Sequence, residues 1–169
     1  VVRYGNVMGS RGSVIPLFLK QFKNSKELQV TDNSMTRFNI TLNQSIDLIL
    51  WSLKNSYGAE IIVPKLPSYK IMDLAKSIGG NCKIKIIGKR QGEKTHEEMI
   101  SAEESSNTVS TKNFYIILQN GNLKQLKFYI KKFNAKKIKK SFSYNSRDNK
   151  NFLKVVNLRK LIRSNLENF

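Results

Sequence analysis

Apolar residues recur along this chain at two alternating spacings, one typical of strands and one typical of helices. Val1–Val7 is mostly apolar and predicts a buried strand, in which Gly5 indicates close backbone approach. Ser13 belongs to the residue types that cap helices, and the run after it predicts a helix. The predicted apolar face of that helix comprises Ile15, Phe18, Leu19 and Phe22.

The same alternation continues through the middle of the chain. Leu28–Thr31 predicts a short extended segment, and Thr41 with Gln44 predicts a capping box that starts a second helix. Glu60–Val63 then predicts a strand. We expect the second helix to bury four residues of its apolar face, Ile46, Ile49, Leu50 and Leu53.

Beyond residue 67 the pattern predicts two more helices and two more strands. A third helix is expected from Ser68 to the Gly79-Gly80 stop signal, and strands over Lys83–Ile87 and Phe114–Leu118. Strands that alternate with helices indicate an α/β fold. The apolar faces of the third and the last helix are Ile71, Leu74, Ala75 and Ile78, and Val155, Leu158, Leu161, Ile162 and Leu166.

Length and composition narrow the class of protein. A chain of 169 residues that is 40% hydrophobic suits one domain with a packed core. The single cysteine, Cys82, excludes a disulfide framework within the chain and fits a reducing compartment. The apolar runs are all shorter than the roughly 18–20 residues of a membrane helix, so we expect no membrane partner.

The chain is strongly basic, with 30 lysine and arginine residues against 12 acidic ones and a net charge of +18. Such a charge is typical of proteins that bind nucleic acid. Residues 120–169 hold 14 of the basic residues and 2 of the acidic ones, and aromatic residues interleave with lysines over Lys124–Lys140. This stretch indicates either a surface for polyanions or a merely solvated basic face.

Four longer motifs follow one another in the sequence. They are VRYGNVMGSRGSVIP at 2–16, MTRFNIT at 35–41, EIIVPKLPSYKIMDLA at 60–75 and GKRQGEKTHEEMI at 88–100. In this order they resemble the C-terminal half of UDP-N-acetylglucosamine 4,6-dehydratases. These are extended short-chain dehydrogenases/reductases that serve bacterial surface-polysaccharide and nonulosonic-acid biosynthesis. Residues 141–162 also resemble the end of that family.

The resemblance implies a fold and a division of the chain. We expect the end of a Rossmann sheet plus a small α/β substrate-binding region over residues 1–119, and a basic extension ending in a helix over residues 120–169. The sequence contains no Tyr-x-x-x-Lys pair and no glycine-rich fingerprint after a strand. We therefore expect a C-terminal fragment that is inactive by itself, because the catalytic groups and the cofactor pyrophosphate site lie upstream.

Four residues are expected to bind the nucleotide-sugar. An arginine suits a diphosphate because its planar fork donates to two oxygens, and a carboxylate can accept from vicinal ribose hydroxyls. Arg90 and Glu93 supply these groups three positions apart, where the family usually has proline after the arginine and this chain has Gln91. By resemblance, Asn6 and Thr31 also contact the nucleotide-sugar.

The loop that follows Asn6 is expected to face the cofactor, NADP or NAD. Its small residues would let backbone amides approach a ligand closely. The resemblance places six residues near the nicotinamide side, Val7, Met8, Gly9, Ser10, Arg11 and Val14.

Two further residues have open roles. Arg37, in the MTRF motif, either faces the diphosphate or braces the site. His96 is the only histidine, and residue 100 is isoleucine where a zinc protease motif needs a second histidine. We therefore expect no metal site, and a helix-start or packing role for His96.

The implied activity is the NAD(P)-dependent conversion of UDP-N-acetylglucosamine to a 4-keto-6-deoxy sugar nucleotide. A nucleotide-sugar 4-epimerase or reductase of the same fold is the closest alternative, and a basic nucleic-acid-binding module is the alternative from another class. We expect a cytoplasmic homo-oligomer that binds UDP-N-acetylglucosamine or a related UDP-sugar and has no nucleic-acid partner.

Overall fold

A computed structural model describes residues 1–165 and contains both helices and strands throughout. The mixed α/β class predicted from the sequence is confirmed. Leu166, assigned above to the last helix, lies outside the described residues. In chain order the elements are β1 (Asn6–Val7), α1 (Val14–Ser25), β2 (Glu27–Val30), β3 (Thr36–Ile40), α2 (Leu42–Asn55), β4 (Ile61–Pro64), β5 (Ser68–Lys70), α3 (Ile71–Gly79), β6 (Lys83–Ile86), β7 (Glu98–Ile100), α4 (Ala102–Ser105), β8 (Thr108–Ser110), β9 (Phe114–Ile117), α5 (Leu123–Phe133), β10 (Lys136–Lys137), β11 (Tyr144–Asn145) and α6 (Val155–Asn165).

The chain forms two compact units, each built from separate stretches of sequence. The first unit contains residues 1–4, 43–66 and 98–145, and the second contains residues 5–42, 67–97 and, as far as the structure describes the chain, 146–165. The basic extension expected over 120–169 therefore contributes to both units. Its boundary at residue 119 is a division along the sequence, and as a functional boundary it stays a prediction.

The first unit is built on a four-stranded antiparallel sheet. The strand order is β10-β8-β9-β4, and Ile62 in β4 also forms a parallel bridge with Val2. The single strand predicted over Val1–Val7 is wrong, because Val2 pairs here whereas Asn6 and Val7 form β1 and pair with β3. The buried core of this unit comprises Leu48, Ile62, Val109, Ile116, Tyr129 and Ala135.

Helix α2 turns a different face inward from the one predicted. Leu48 is buried together with Ser45 and Ser52, and the Trp51 ring lies 4.4 Å from the Phe114 ring. Two serines on the inner face let the helix backbone lie close to its neighbours, and Leu48 and the indole fill the remaining space. The four residues expected to be buried are exposed instead, Ile46 at 45%, Ile49 at 38%, Leu50 at 59% and Leu53 at 77%.

The second unit combines two small sheets with three helices. Strand β1 pairs in parallel with β3, β3 pairs antiparallel with β5, and β2 pairs in parallel with β6. The predicted third helix begins at Ile71 and not at Ser68, because Ser68–Lys70 form the strand β5. Helices α1, α3 and α6 bury their apolar faces in one core with Leu28, Val30, Met35 and Tyr69.

Within residues 1–165, no helix is both long enough and apolar enough to cross a membrane.

Candidate functional site

A cavity of about 350 Å³ lies within the second unit, a size typical of sites for small ligands. It lies at the end of β1, the start of α1, the end of β2 and the loop after β6. Asn6, Thr31, Arg90 and Glu93 all line it, so the four residues expected to bind a nucleotide-sugar meet in one place. The other lining residues are Val7, Met8, Gly12, Ser13, Val14, Ile15, Leu17, Phe18, Gln21, Gln29, Val30, Met35, Arg37, Tyr69, Ile71 and Ile87.

The six residues expected at the cofactor do not all reach this cavity. Val7, Met8 and Val14 line it, whereas Gly9, Ser10 and Arg11 are absent from its lining. Gly9 has a φ of 76°, a left-handed conformation that glycine adopts without strain. This conformation lets the chain turn between β1 and α1, so the backbone conformation of the loop accounts for a glycine at this position.

Asn6 reaches the cavity because of a close contact between backbones at the preceding residue. A Cβ atom on Gly5 would lie 2.5 Å from the Phe38 Cβ and 3.2 Å from the Phe38 carbonyl oxygen. Glycine is therefore required where β1 begins to run beside β3. The parallel register then pairs Asn6 with Asn39 and fixes the level at which the Asn6 side chain leaves the strand.

Arg90 and Glu93 are held together by a tight turn. The Glu93 amide donates to the Arg90 carbonyl oxygen at 3.1 Å, and Gly92 between them has a φ of 77°. The Glu93 carboxylate accepts from the Arg90 amide at 3.2 Å and from the Thr31 hydroxyl at 3.1 Å. A turn with glycine at this position is common, and here it links Glu93 to the end of β2.

The start of α1 contributes a polar atom that has no protein partner. Ser13 occupies the N-cap position, as predicted, but its side chain makes no capping hydrogen bond. Its Oγ is buried and finds no hydrogen-bond partner among residues 1–165. Because burying an unpaired hydroxyl costs about 1–3 kcal/mol, this oxygen fits a cavity that takes a polar ligand.

Charged groups of both signs and apolar side chains surround the cavity. Arg90 and Arg37 line it, and the Lys89 ammonium lies 3.3 Å from the Asp32 carboxylate beside the same loop. Hydrogen bonds from Ser34 to Asp32 lower the pKa of that carboxyl, so it stays ionised. Burial raises the pKa of Tyr69 to about 12, so its phenol remains neutral.

Four polar lining residues were not assigned to the site from the sequence. Ser13 was expected only as a cap and Arg37 had no fixed role, while Gln21 and Gln29 carried no motif. The Gln21 side chain accepts from the Gln29 amide at 3.0 Å, which joins α1 to β2. The sequence held one signal for Ser13 as a lining residue: it lies between Arg11 and Val14, which were both expected to face the cofactor.

His96 lies outside any helix, so the expected helix-start role is wrong, and it is half-buried in a hydrogen-bonded position. Its Nδ1 is 2.8 Å from the Thr36 hydroxyl, which in turn lies 2.7 Å from the Ser146 hydroxyl. Burial, with the positive charges of Arg147 and Arg37, lowers the pKa of His96. Across the described part of the chain, no three His, Cys, Asp or Glu residues gather in a way that could hold a metal ion.

The lysine-rich stretch divides into an outer and an inner face. Its aromatic residues pack into the first unit: Tyr129 is fully buried, and Phe128 and Phe133 lie against the same core. The Tyr129 hydroxyl donates to the buried Glu60 carboxylate at 2.6 Å. The eight lysines between residues 124 and 140 are all exposed. Packing therefore explains why aromatic residues alternate with lysines here.

Comparison with known proteins adds a family to this geometry. The sequence profile of a family described as polysaccharide biosynthesis protein matches residues 1–119. A UDP-N-acetylglucosamine 4,6-dehydratase (inverting) from Campylobacter jejuni is 43% identical over 168 residues, which cover 93% of this chain and 50% of that protein. A UDP-glucose 4-epimerase from Rickettsia bellii is 41% identical over 155 residues, covering 89% of this chain and 45% of the relative.

A solved structure agrees with these sequence matches. The X-ray structure of Pen from Bacillus thuringiensis superposes with a TM-score of 0.82 at 37% identity, and the match covers 96% of this chain and 49% of Pen. The fold class expected from the sequence, the C-terminal part of an extended short-chain dehydrogenase/reductase, is confirmed. The chain spans about half the length of the curated relatives it matches. On this evidence the chain belongs to the polysaccharide biosynthesis protein family, close in sequence to its UDP-N-acetylglucosamine 4,6-dehydratases.

Proposed function

We propose that this chain supplies the UDP-sugar-binding part of an NAD(P)-dependent UDP-N-acetylglucosamine 4,6-dehydratase. The observation that carries the proposal is the convergence of Asn6, Thr31, Arg90 and Glu93 on one cavity. These residues come from stretches as much as 87 positions apart in the sequence. The names of the relatives support a UDP-sugar as the ligand class.

Each of the four residues has a chemical role in this proposal. The Arg90 guanidinium binds the diphosphate, since it is always charged and can donate to two oxygens at once. The Glu93 carboxylate accepts hydrogen bonds from the ribose hydroxyls. Thr31 orients that carboxylate through the 3.1 Å hydrogen bond, and the Asn6 amide binds the nucleotide-sugar from strand β1.

The cofactor would lie against the loop after β1. Val7, Met8 and Val14 would form an apolar wall for the nicotinamide side, and the unpartnered Ser13 hydroxyl fits a polar atom of a ligand there. We keep Gly9, Ser10 and Arg11 as part of the proposed loop, although they lie outside the cavity lining. When bound, NAD(P) supplies the redox chemistry, and the residues of this chain position the sugar.

The proposal includes the setting of the protein. We propose a homo-oligomer in the cytoplasm that serves surface-polysaccharide or nonulosonic-acid biosynthesis. We also propose that the 169-residue chain gives no 4-keto product by itself, because it contains no Tyr-x-x-x-Lys pair.

A 4-epimerase is the second candidate, and a specific observation favours it. The Rickettsia bellii relative named as a UDP-glucose 4-epimerase is 41% identical, nearly as similar as the Campylobacter dehydratase at 43%. Titrating the chain with UDP-N-acetylglucosamine and with UDP-glucose separates the two substrates. Tighter binding of UDP-glucose would favour the epimerase.

Isothermal titration calorimetry with UDP tests the proposed site. Arg90→Ala should weaken binding by about 1.5–3 kcal/mol, the usual contribution of a hydrogen bond to a charged group. Lys94→Ala is the matched control, because it removes a positive charge from the same loop without removing a residue that lines the cavity. Equal affinities of the parent and Arg90→Ala would contradict the assignment of Arg90.

A further inference from the structure

Arg37 lines the cavity, yet its guanidinium is engaged mainly by acceptors of the protein. Nη1 donates to the carbonyl oxygens of Thr36 at 2.8 Å and Thr95 at 3.0 Å, and Nη2 donates to the Lys94 carbonyl oxygen at 2.8 Å. Nη2 also lies 3.6 Å from the Met35 sulfur, and Nε lies 3.5 Å from the Glu97 carboxylate.

These contacts occupy most of the donors that Arg37 has. Four of its five N–H groups donate to acceptors of the protein, and Nε lies in an ion pair with the Glu97 carboxylate. The side chain is only 11% exposed. A bound phosphate would have to compete with these acceptors, so an arginine at the cavity wall is not by itself a phosphate ligand here.

Three of these acceptors, on Lys94, Thr95 and Glu97, lie directly after the turn that carries Arg90 and Glu93. The Thr36 amide donates to the Thr95 carbonyl oxygen at 3.1 Å, so β3 and Arg37 hold the same peptide group. On the other side of the turn, the Ile87 amide donates to the Val30 carbonyl oxygen at 2.9 Å. The segment between these anchors is mostly exposed.

That segment is held by the turn at Arg90 and Glu93 and by contacts at exposed positions. Gly88 and Gly92 have φ values of 87° and 77°, which glycine adopts without strain. The Lys89 side chain donates to the Thr95 hydroxyl at 2.5 Å, from an exposed position. Arg37 is the anchor that is largely shielded from water, and hydrogen bonds from a charged donor in such surroundings are the strong ones.

We infer that Arg37 is a positioning residue, which fixes residues 94–97 to β3 and thereby holds the Arg90 and Glu93 side chains at the cavity. It acts through the protein backbone and does not contact the ligand. The inference rests on the proposed function for the ligand, but the anchoring itself concerns this chain alone. Arg37 therefore differs in role from Arg90, although both are arginines that line one cavity.

Hydrogen exchange measured by mass spectrometry on the full chain without ligand tests the anchoring. In Arg37→Lys, a single ammonium replaces the five-donor fork, so the amides of residues 93–97 should exchange about tenfold faster or more. Arg159→Ala is the matched control. Its guanidinium donates to the Ser77 carbonyl oxygen at 3.1 Å in the same unit, and its loss should leave exchange in residues 93–97 unchanged. Glu97→Ala, which removes one acceptor, is a milder second variant and should raise exchange in the same peptide.

Titration of the same variants with UDP completes the test. Faster loop exchange together with at least about tenfold weaker UDP binding in Arg37→Lys supports the inference. Weaker UDP binding with unchanged loop exchange would mean direct contact with the ligand and would overturn it, as would unchanged exchange and affinity. Faster exchange with unchanged affinity would also overturn it. If the parent chain does not bind UDP while exchange responds as expected, the proposed function fails and the anchoring stands.

Discussion

The contact between Gly5 and Phe38 allows a quantitative test of how the backbone positions the site. In Gly5→Ala, the added Cβ would lie 2.5 Å from the Phe38 Cβ, where ordinary carbon contacts are about 3.5–4 Å. Relief therefore requires β1 and β3 to separate by about 1 Å. Phe38 is fully buried, so its side chain has no free space into which it can move.

This overpacking should lower the free energy of unfolding by about 1–3 kcal/mol. Urea denaturation measures the loss, and Gly5→Val should cost more than Gly5→Ala because the clash grows with the side chain. Ser10→Ala is the control, since it changes an exposed residue of the neighbouring loop and should change stability by at most about 0.5 kcal/mol. An unfolding midpoint that is the same for glycine, alanine and valine would refute the close approach.

The same displacement should reach the cavity. Asn6 follows Gly5 directly and pairs with Asn39, so separating the two strands moves the Asn6 side chain away from the other lining residues. UDP binding by the folded Gly5→Ala protein should therefore weaken relative to the parent. Unchanged affinity in Gly5→Ala would mean that Asn6 does not set the binding geometry.

Two further predictions concern stability. Leu48→Ala should lower the free energy of unfolding by about 2–5 kcal/mol because Leu48 is buried, whereas Leu53→Ala, at 77% exposure in the same helix, should lower it by at most about 0.5 kcal/mol. Urea denaturation measures both, and equal losses would contradict the orientation of α2. Burial raises the pKa of both Tyr69 and Tyr144 to about 12, above the ordinary value near 10. The fold therefore favours the neutral phenols, and this contribution to stability is complete below pH 10 and is lost as the pH rises through 12. Urea midpoints should therefore fall between pH 10 and 12, and Tyr69→Phe should flatten that fall; an equal fall in the parent and in Tyr69→Phe would contradict this reading.

The sequence alone determined those helices and strands whose apolar spacing fits only one conformation. Helix α1 and strand β2 match their predicted positions, because their apolar residues follow a single period that only one conformation can bury. Gly5 could be recognised from its position in a strand, since glycine there often marks a close approach. Arg90 and Glu93 could be predicted as neighbours at one site from their residue types and spacing, and the structure places both at one cavity; their ligand stays a proposal.

Only the tertiary structure decided the features that depend on residues distant in sequence. Helix α2 has apolar residues on more than one side, so periodicity does not decide which side faces the core. The shape of the surrounding core decides it, and that core accommodates Leu48 and the Trp51 ring. The run Val1–Val7 is divided because two different strands offer hydrogen bonds to its two ends. Whether Arg37 was available to a ligand also depended on carbonyl groups 57 and 58 residues away. Which acceptors a side-chain donor meets depends on what the fold brings near it. The sequence names the donors and acceptors but does not show which of them lie close together.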